Sequence, residues 1–261
     1  MKDKLKTYLQ GLIGVAALLI LWTVATKTGI FGRVNNRAAE FLLPLPTTVL
    51  KEMIKVISNG YLLSNLWVSF LRVLTGFSIA VCIGLPLGIM IGMNETVRNI
   101  FYPIIRFVSP IPGVAWVPLS ILWFGLGDKS AIFIIVMGSL SPIIVNTCQG
   151  MQNLYKRLGE VLDVMEASTY YRVRYYILPG IMPYVVAGFR LSLGFSWRVV
   201  IAAELVGVPK GMGYMLSVSR STGNTADTLI TIIALGIVMI LMEEVLFQSI
   251  ENHTNRWRKN Q

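Results

Sequence analysis

Apolar runs long enough to cross a lipid bilayer recur along this chain of 261 residues. A spanning helix needs roughly 20 mostly apolar residues, because the hydrocarbon core is about 30 Å thick and a helix rises about 1.5 Å per residue. Charged residues make up 14% of the chain, compared with about 25% in a soluble domain. The sequence therefore predicts an all-α integral membrane protein with about six transmembrane helices. The predicted spans are Leu12–Thr26, Val73–Met93, Val108–Gly125, Ala131–Thr147, Ile181–Val208 and Thr228–Leu246.

The basic residues indicate a lipid contact and an orientation. The net charge is +10, but Lys and Arg are scattered near the ends of the spans and form no basic face of the kind that binds nucleic acid. We expect them to contact anionic lipid headgroups. With the N-terminus in the cytoplasm, more Lys and Arg fall inside than outside, in the direction of the positive-inside rule.

The first apolar segment has a second interpretation. It follows the basic stretch Lys2–Lys6, as a cleaved signal peptide would. Its apolar run is longer than that of a usual signal peptide, and Trp22–Lys27 is a poor cleavage site. A retained membrane span is therefore favoured.

Intramembrane catalysis is disfavoured by the residues available for it. The only histidine, His253, lies in the C-terminal tail, which excludes histidine-based chemistry or metal binding in the membrane. Cys82 and Cys148 lack the spacing of a metal or redox site and are interpreted as small packing residues. A channel or secondary transporter would be recognised by a filter loop or an inverted repeat, and the sequence has no convincing internal repeat.

A charged and aromatic segment separates the fourth and fifth predicted spans. It contains Glu160, the small pair Ala167-Ser168, and then basic and aromatic residues that end in Ile-Leu-Pro179. This order resembles the "EAA" segment of the permease subunits of bacterial ABC importers. In that family the segment is a short cytoplasmic coupling helix that docks into a groove on the ATPase subunit.

The resemblance implies which residues contact the ATPase. Val161 and Leu162 stand where the family usually has two alanines, and Glu166 stands where it usually has glycine. Because glycine permits a left-handed turn and glutamate disfavours it, we expect the helix to continue through Glu166 without a positive φ, with its carboxylate reaching the ATPase, Arg172 or Arg174. The implied coupling residues are Leu158, Glu160, Val161, Leu162, Met165, Glu166, Ala167, Ser168 and Pro179.

The third predicted span is interrupted by prolines. Pro103, Pro110, Pro112 and Pro118 each remove a backbone donor, which a membrane tolerates only where the freed carbonyls face protein or water. A kinked helix that fills a gap in the bundle is one interpretation. The run from Ser109 to Trp116, followed by Leu-Trp-Phe-Gly-Leu-Gly, resembles the nitrate, sulfonate, taurine and bicarbonate branch of the importers, which favours a place on the translocation pathway.

The fifth predicted span carries charged and aromatic residues at regular spacing. Arg190, Trp197 and Glu204 are seven residues apart and form one stripe that drifts about 20° per step. Trp197 followed by Ala-Ala-Glu204 resembles a "W…AAE" pattern of the same family, whereas Arg198 stands where many relatives have an apolar residue. Arg198 is interpreted either as a partner for carbonyls of another helix or as a contact for an anion. The predicted pathway residues are Ser109, Pro110, Pro112, Trp116, Ser196, Trp197, Arg198 and Glu204.

The resemblance extends over almost the whole chain. Residues 1–64 are expected to form the first span and an amphipathic elbow helix, residues 65–250 the permease domain, and residues 251–261 a cytoplasmic tail. Gly84, Gly88 and Gly92 have the four-residue spacing that brings two membrane helices close together.

The function implied is that of a type I ABC importer permease, which catalyses nothing by itself. The resemblance implies a homodimer in the bacterial inner membrane with both termini in the cytoplasm, an extracytoplasmic solute-binding protein, and an ATPase subunit that holds the ATP and Mg²⁺. No cofactor or metal is expected in this chain. The expected cargo is a small anionic or zwitterionic solute resembling nitrate, sulfonate, taurine or bicarbonate; an organic solute such as a thiamine precursor is the alternative, and a channel or secondary transporter is the alternative of another class.

Overall fold

The computed structural model describes residues 2–29, 41–154 and 156–243, and these residues are helical without any strand. The all-α prediction is confirmed. The tail predicted for residues 251–261 lies outside the described part of the chain. The helices are α1 (Lys2–Thr28), α2 (Pro46–Ser58), α3 (Tyr61–Met93), α4 (Glu95–Val108), α5 (Val117–Phe124), α6 (Asp128–Gln152), α7 (Lys156–Val164), α8 (Thr169–Arg172), α9 (Leu178–Gly207), α10 (Met212–Ser221) and α11 (Thr225–Glu243), with a 3₁₀ turn at Gly113–Trp116 and a π-helical turn at Val173–Ile177.

Five stretches of helix are long and apolar enough to cross a membrane, and a bent pair gives a sixth. The five are Gln10–Thr28, Tyr61–Met93, Asp128–Gln152, Thr169–Gly207 and Thr225–Met242. The bent pair consists of Glu95–Val108 and Gly113–Phe124, which meet at 92°. The predicted number of spans is confirmed within this range.

The predicted third span, Val108–Gly125, is wrong as a single helix. Helix α4 ends where that span was expected to begin, and the chain resumes as a 3₁₀ turn and the short helix α5. Pro110 and Pro112 occupy the break, and neither can donate the backbone hydrogen bond that would carry α4 onward. The prolines therefore turn the chain sharply instead of kinking one helix.

The chain divides into two compact units. The first comprises the N-terminal part of the chain up to Leu66 together with Met215–Leu235, and the second comprises Trp67–Tyr214 and the part from Gly236 onward. In the first unit, the indole of Trp22 donates to the carbonyl of Pro44 at 2.9 Å. The amphipathic helix α2 buries Val49 and Val56.

Within the second unit, α3 and α6 pack through glycines. A Cβ at Gly88 would lie 2.6 Å from the Cβ of Thr147, so no larger residue fits without movement. The offset in residue number is the same at every contact, which means that the two helices run parallel. The contact pairs are Gly76 with Ile135, Gly84 with Ile143, Gly88 with Thr147, and Gly92 with Met151.

Helix α9 runs antiparallel to α6. The hydroxyls of Ser139 and Ser196 lie 2.5 Å apart, and the Ser192 hydroxyl donates to the Ser139 carbonyl at 2.7 Å. Further along α6, Gly150 contacts Tyr184, so residue numbers rise on one helix as they fall on the other. The part of α3 around Ser69 and the first turn of α6 therefore lie at the same end of this unit as the last turn of α9.

Candidate functional site

The segment between α6 and α9 presents apolar side chains to its surroundings. In α7 and the turn after it, Val164 is 85% exposed and Met165 is 71% exposed. Glu160 is also exposed, whereas Leu162 is half-buried. The side chain of Leu158 lies outside the described part. Exposed apolar groups on a short, otherwise polar helix are typical of a docking surface.

Glu166 ends α7 in a left-handed conformation, with φ of 49°. The expectation that the helix continues through Glu166 without a positive φ is wrong. The Ala167 amide donates to the Leu162 carbonyl and the Glu166 amide to the Asp163 carbonyl, both at 3.0 Å. These two bonds form a Schellman motif, which places the residue after the last helical one in the left-handed region. The hydrogen bonds of this cap therefore offset the cost of placing glutamate in the left-handed region.

Arg172, one of the partners expected for Glu166, forms an ion pair with Asp163 instead. On either side of Arg172 along the chain, Tyr171 and Tyr175 stack with ring centroids 5.7 Å apart. The π-helical turn then leads directly into α9, where Pro179 lies in the first turn. The segment is thus joined to α9 without a flexible linker.

A buried charge cluster lies at the other end of α9. Glu204 is 1% exposed and Arg72 is 5% exposed. Arg72 donates to the Glu204 carboxylate and to Asp128, each at 2.7 Å. Asp128 is the exposed member of the cluster, since its side chain is 68% exposed. We call Ser69, Arg72, Asp128 and Glu204 the Arg72 cluster.

The Arg72 cluster also holds the connection between α9 and α10. The Ser69 hydroxyl lies 2.8 Å from both carboxylate oxygens of Glu204 and accepts from the Met212 amide at the same distance. The Gly213 amide donates to Glu204 at 2.9 Å, and Arg72 donates to the Lys210 carbonyl at 2.6 Å. Both oxygens of the buried carboxylate therefore have hydrogen-bond donors from Ser69, Arg72 or Gly213, as a buried charge requires.

Gly211 is required where this connection crosses the carboxylate. Its φ is 125°, and a Cβ there would lie 2.4 Å from the carboxylate of Glu204. Both the backbone conformation and the lack of space exclude any larger residue. The connection is thus shaped around Glu204.

The predicted pathway residues fall into two groups. Ser196, Trp197 and Glu204 are buried in contacts between helices. Arg198 is exposed, and it has no hydrogen bond or ion pair with another residue of the described ranges.

The break after α4 packs against α9 beside Arg198. Ser109, Pro110 and Pro112 are exposed at the break, and Trp116 meets Phe133 edge to face. A Cβ at Gly113 would lie 2.6 Å from the Val199 side chain, so the broken segment touches α9 one residue beyond Arg198. The break after α4 and helix α9, which we predicted to line a pathway, are therefore in contact.

Several candidate membrane spans are present, and an exposed, partly apolar helix lies between two of them. This arrangement is typical of a membrane transport permease. Residues 84–259 match the family of binding-protein-dependent transport system inner membrane components, and the chain belongs to that family. It is therefore a permease subunit of an ABC importer and not an enzyme. The family and the class of function that the sequence predicted are confirmed.

Named relatives support this placement over most of the chain. The putative aliphatic sulfonates transport permease protein SsuC of Bacillus subtilis is 29% identical over 97% of this chain and 89% of its own length. The taurine transport system permease protein TauC of Escherichia coli is 31% identical over 88% and 84%. A bicarbonate transport system permease protein of Synechococcus elongatus is 28% identical over 93% and 88%.

A solved structure shares the fold. The methionine ABC transporter MetNI in an inward-facing conformation matches with a TM-score of 0.62 and 19% identity, over 77% of this chain and 96% of that one. At this identity the match shows the fold alone.

Sequence reasoning missed Arg72 and Ser69 as members of a site. Both lie in the run Ser69-Phe-Leu-Arg72, which resembles part of the family's opening core helix. The predicted span began at Val73 and left Arg72 outside it, whereas α3 begins at Tyr61 and encloses Arg72, where a charge must have a partner.

Proposed function

We propose that this chain forms, as a homodimer, the translocation pathway for a small anionic or zwitterionic solute that carries an oxyanion group. An extracytoplasmic solute-binding protein delivers the solute, and a separate ATPase subunit that binds ATP and Mg²⁺ drives transport. Membership of the binding-protein-dependent family supports the two partners. Arg198 is exposed in the span Thr169–Gly207 and has no partner among the described residues, and this observation carries the choice of an anion.

The coupling segment sets the orientation in this proposal. The ATPase works in the cytoplasm, so residues 156–179 face that side. The Arg72 cluster, at the far end of α9, then faces outward, and both termini lie in the cytoplasm of a bacterial inner membrane.

The ATPase contact centres on the end of α7. The exposed Val164 and Met165 supply apolar area, and Glu160 supplies a charged group beside them. The left-handed Glu166 turns the chain so that Ala167 and Ser168 follow at the edge of the same surface. The π-helical turn and Pro179 connect this surface to α9.

The substrate class follows from the energetics of an anion in a membrane. An anion that crosses the bilayer loses most of its hydration, and a fixed positive charge offsets that loss. Arg198 supplies such a charge, and its planar guanidinium suits a carboxylate or sulfonate. The relatives named for sulfonates, taurine and bicarbonate point to the same class.

The direct experiment is ATP-dependent uptake of radiolabelled taurine and bicarbonate by vesicles that contain the whole complex with the Arg198→Gln permease. We expect uptake to fall at least about tenfold, the effect of losing a contact worth about 1.4 kcal/mol or more. Arg98→Gln is the matched control, because Arg98 pairs with Glu95 on the surface of α4. Unchanged uptake and unchanged anion preference in Arg198→Gln would remove Arg198 from the pathway.

A further inference from the structure

A cavity of about 160 Å³ lies against the middle of α9. Its lining includes Arg190, Gly194, Trp197 and Arg198 of α9, together with Met239 and Met242 of α11. A water molecule occupies about 30 Å³ of liquid volume, so the cavity has room for several waters or for one small solute.

The two arginines flank the midpoint of α9. Helix α9 has 30 residues and is therefore about 45 Å long. Arg190 and Arg198 are 12 and 20 residues beyond Leu178, which places their Cα atoms about 18 Å and 30 Å along the axis. Gly194 lies between them. The cavity is thus near the depth at which a charged solute has lost the most hydration.

The depth also bears on which oxyanion the cavity binds. Lipid phosphates lie at the membrane surface, about 15 Å from the centre of a hydrocarbon core that is about 30 Å thick. A solute in transit has to pass the centre. Both sources carry the same oxyanion chemistry, but the position of the cavity favours the solute.

The remaining lining suits the part of a solute that carries no charge. A Cβ at Gly194 would meet only the Met239 methyl carbon, at 3.5 Å, so the glycine leaves the space between the arginines open. Methionine side chains are flexible and polarisable and adapt to different apolar shapes. The cavity therefore combines two fixed cations with a small, adaptable apolar wall.

We propose that this cavity is a binding subsite for the transported anion, in which Arg190 and Arg198 both contact its oxyanion group. Met239 and Met242 contact the rest of the solute. This subsite rests on the proposed function, since it requires that the cargo is an anion. It adds Arg190, Gly194 and the two methionines to the residues that determine specificity.

The test uses three permease variants in complete complexes reconstituted with the ATPase and the binding protein. Arg190→Gln and Arg198→Gln each remove one cation, and Gly194→Val fills the cavity without changing a charge. Each should lower the uptake rate of radiolabelled taurine or bicarbonate at least about tenfold. ATP hydrolysis stimulated by the loaded binding protein should stay within about twofold of the wild type, which loss of folding would not allow.

Two further variants control for size and geometry. Gly236→Val adds the same side chain to α11 at a position where a Cβ meets nothing within 4 Å, and uptake should be unchanged. Arg198→Lys keeps the charge but loses the planar fork, so it should recover only part of the uptake.

The outcomes separate the subsite from the function on which it rests. If wild-type complexes import anions and all three variants do so normally, the subsite is wrong and the proposed function stands. If wild-type complexes import neither taurine nor bicarbonate, the proposed function is wrong.

A separate experiment tests whether the cavity binds a lipid headgroup. In vesicles of phosphatidylcholine alone, without anionic lipid, wild-type uptake should equal that in vesicles with phosphatidylglycerol. If phospholipid copurifies with the wild type, is lost from both Gln variants, and uptake is unaffected, the cavity holds a lipid headgroup and the subsite is wrong.

Discussion

At the scale of the residue, Glu166 carries a conformational cost that a single substitution can remove. A non-glycine residue in the left-handed region costs of order 1–3 kcal/mol. Glu166→Gly should therefore stabilise the permease by about 1 kcal/mol, measured on the permease without its ATPase as a higher midpoint of thermal unfolding in detergent. Glu160→Gly is the control, because Glu160 lies inside α7, where glycine costs up to about 1 kcal/mol. Equal destabilisation by both changes would contradict the cap that we describe.

Arg72 is the residue whose loss should be most damaging to stability. Arg72→Ala leaves the buried Glu204 carboxylate without its cation, and breaking a buried pair in this way costs about 3–5 kcal/mol. We expect a large drop in the unfolding midpoint and in the yield of folded permease. A smaller loss in the double variant Arg72→Met with Glu204→Gln would show that the unpaired charge causes the defect.

Arg98→Ala provides the comparison for the Arg72 prediction. Arg98 pairs with Glu95 one turn away, and the glutamate side chain is exposed. Exposed pairs contribute about 0–1 kcal/mol, so this change should have little effect. Similar losses in Arg72→Ala and Arg98→Ala would contradict the importance of the buried pair.

For Glu204, the sequence predicted the need for a partner but not which residue the partner is. The sequence indicated that Glu204 needs a partner, because a charge inside a span must be compensated. It did not indicate Arg72, which is 132 residues away along the chain. Which helices meet is decided by packing, as where glycines of α3 admit side chains of α6.

Among the helices, the length of the apolar runs predicted the spans, but the prolines broke the predicted third span into two helical segments. The break between α4 and α5 turns the chain by 92° and places Gly113 against Val199. Proline chemistry predicted an interruption, since a missing donor stops a helix. It could not predict the angle, which depends on the surface of α9 against which the segment packs.

The coupling segment yields a prediction at the same scale. Glu160→Arg together with Ala167→Arg adds two positive charges to the surface that we propose for the ATPase. The ATPase should no longer copurify with the permease, and ATP-driven uptake should be lost, while the permease still reaches the membrane.

Lys51→Glu together with Lys55→Glu is a control for the coupling prediction, since it changes two charges on α2 in the other compact unit. This pair should leave copurification intact. If the Glu160 and Ala167 variant still copurifies and transports, the segment does not dock the ATPase.

At the scale of the whole molecule, α9 connects the two regions on which transport depends in this account. The coupling segment enters its first turn, and the Arg72 cluster surrounds its last. The sequence predicted the coupling segment but not the Arg72 cluster, of which it indicated only Glu204 and interpreted it as part of a pathway, whereas the carboxylate is buried among α3, α9 and the start of α10. A sequence shows that a span carries a charge; whether the charge faces a path or another helix depends on the assembled bundle.

In our proposal, this permease serves an ATP-driven importer of anions or zwitterions. The most direct measurement is uptake by vesicles that contain the wild-type permease, its ATPase and its binding protein, supplied with radiolabelled taurine, bicarbonate or the cation choline. We predict uptake of an anion or zwitterion that requires ATP and the binding protein, with no uptake of choline. ATP-dependent uptake of choline, with neither taurine nor bicarbonate transported, would show that the permease does not serve an importer of anions or zwitterions.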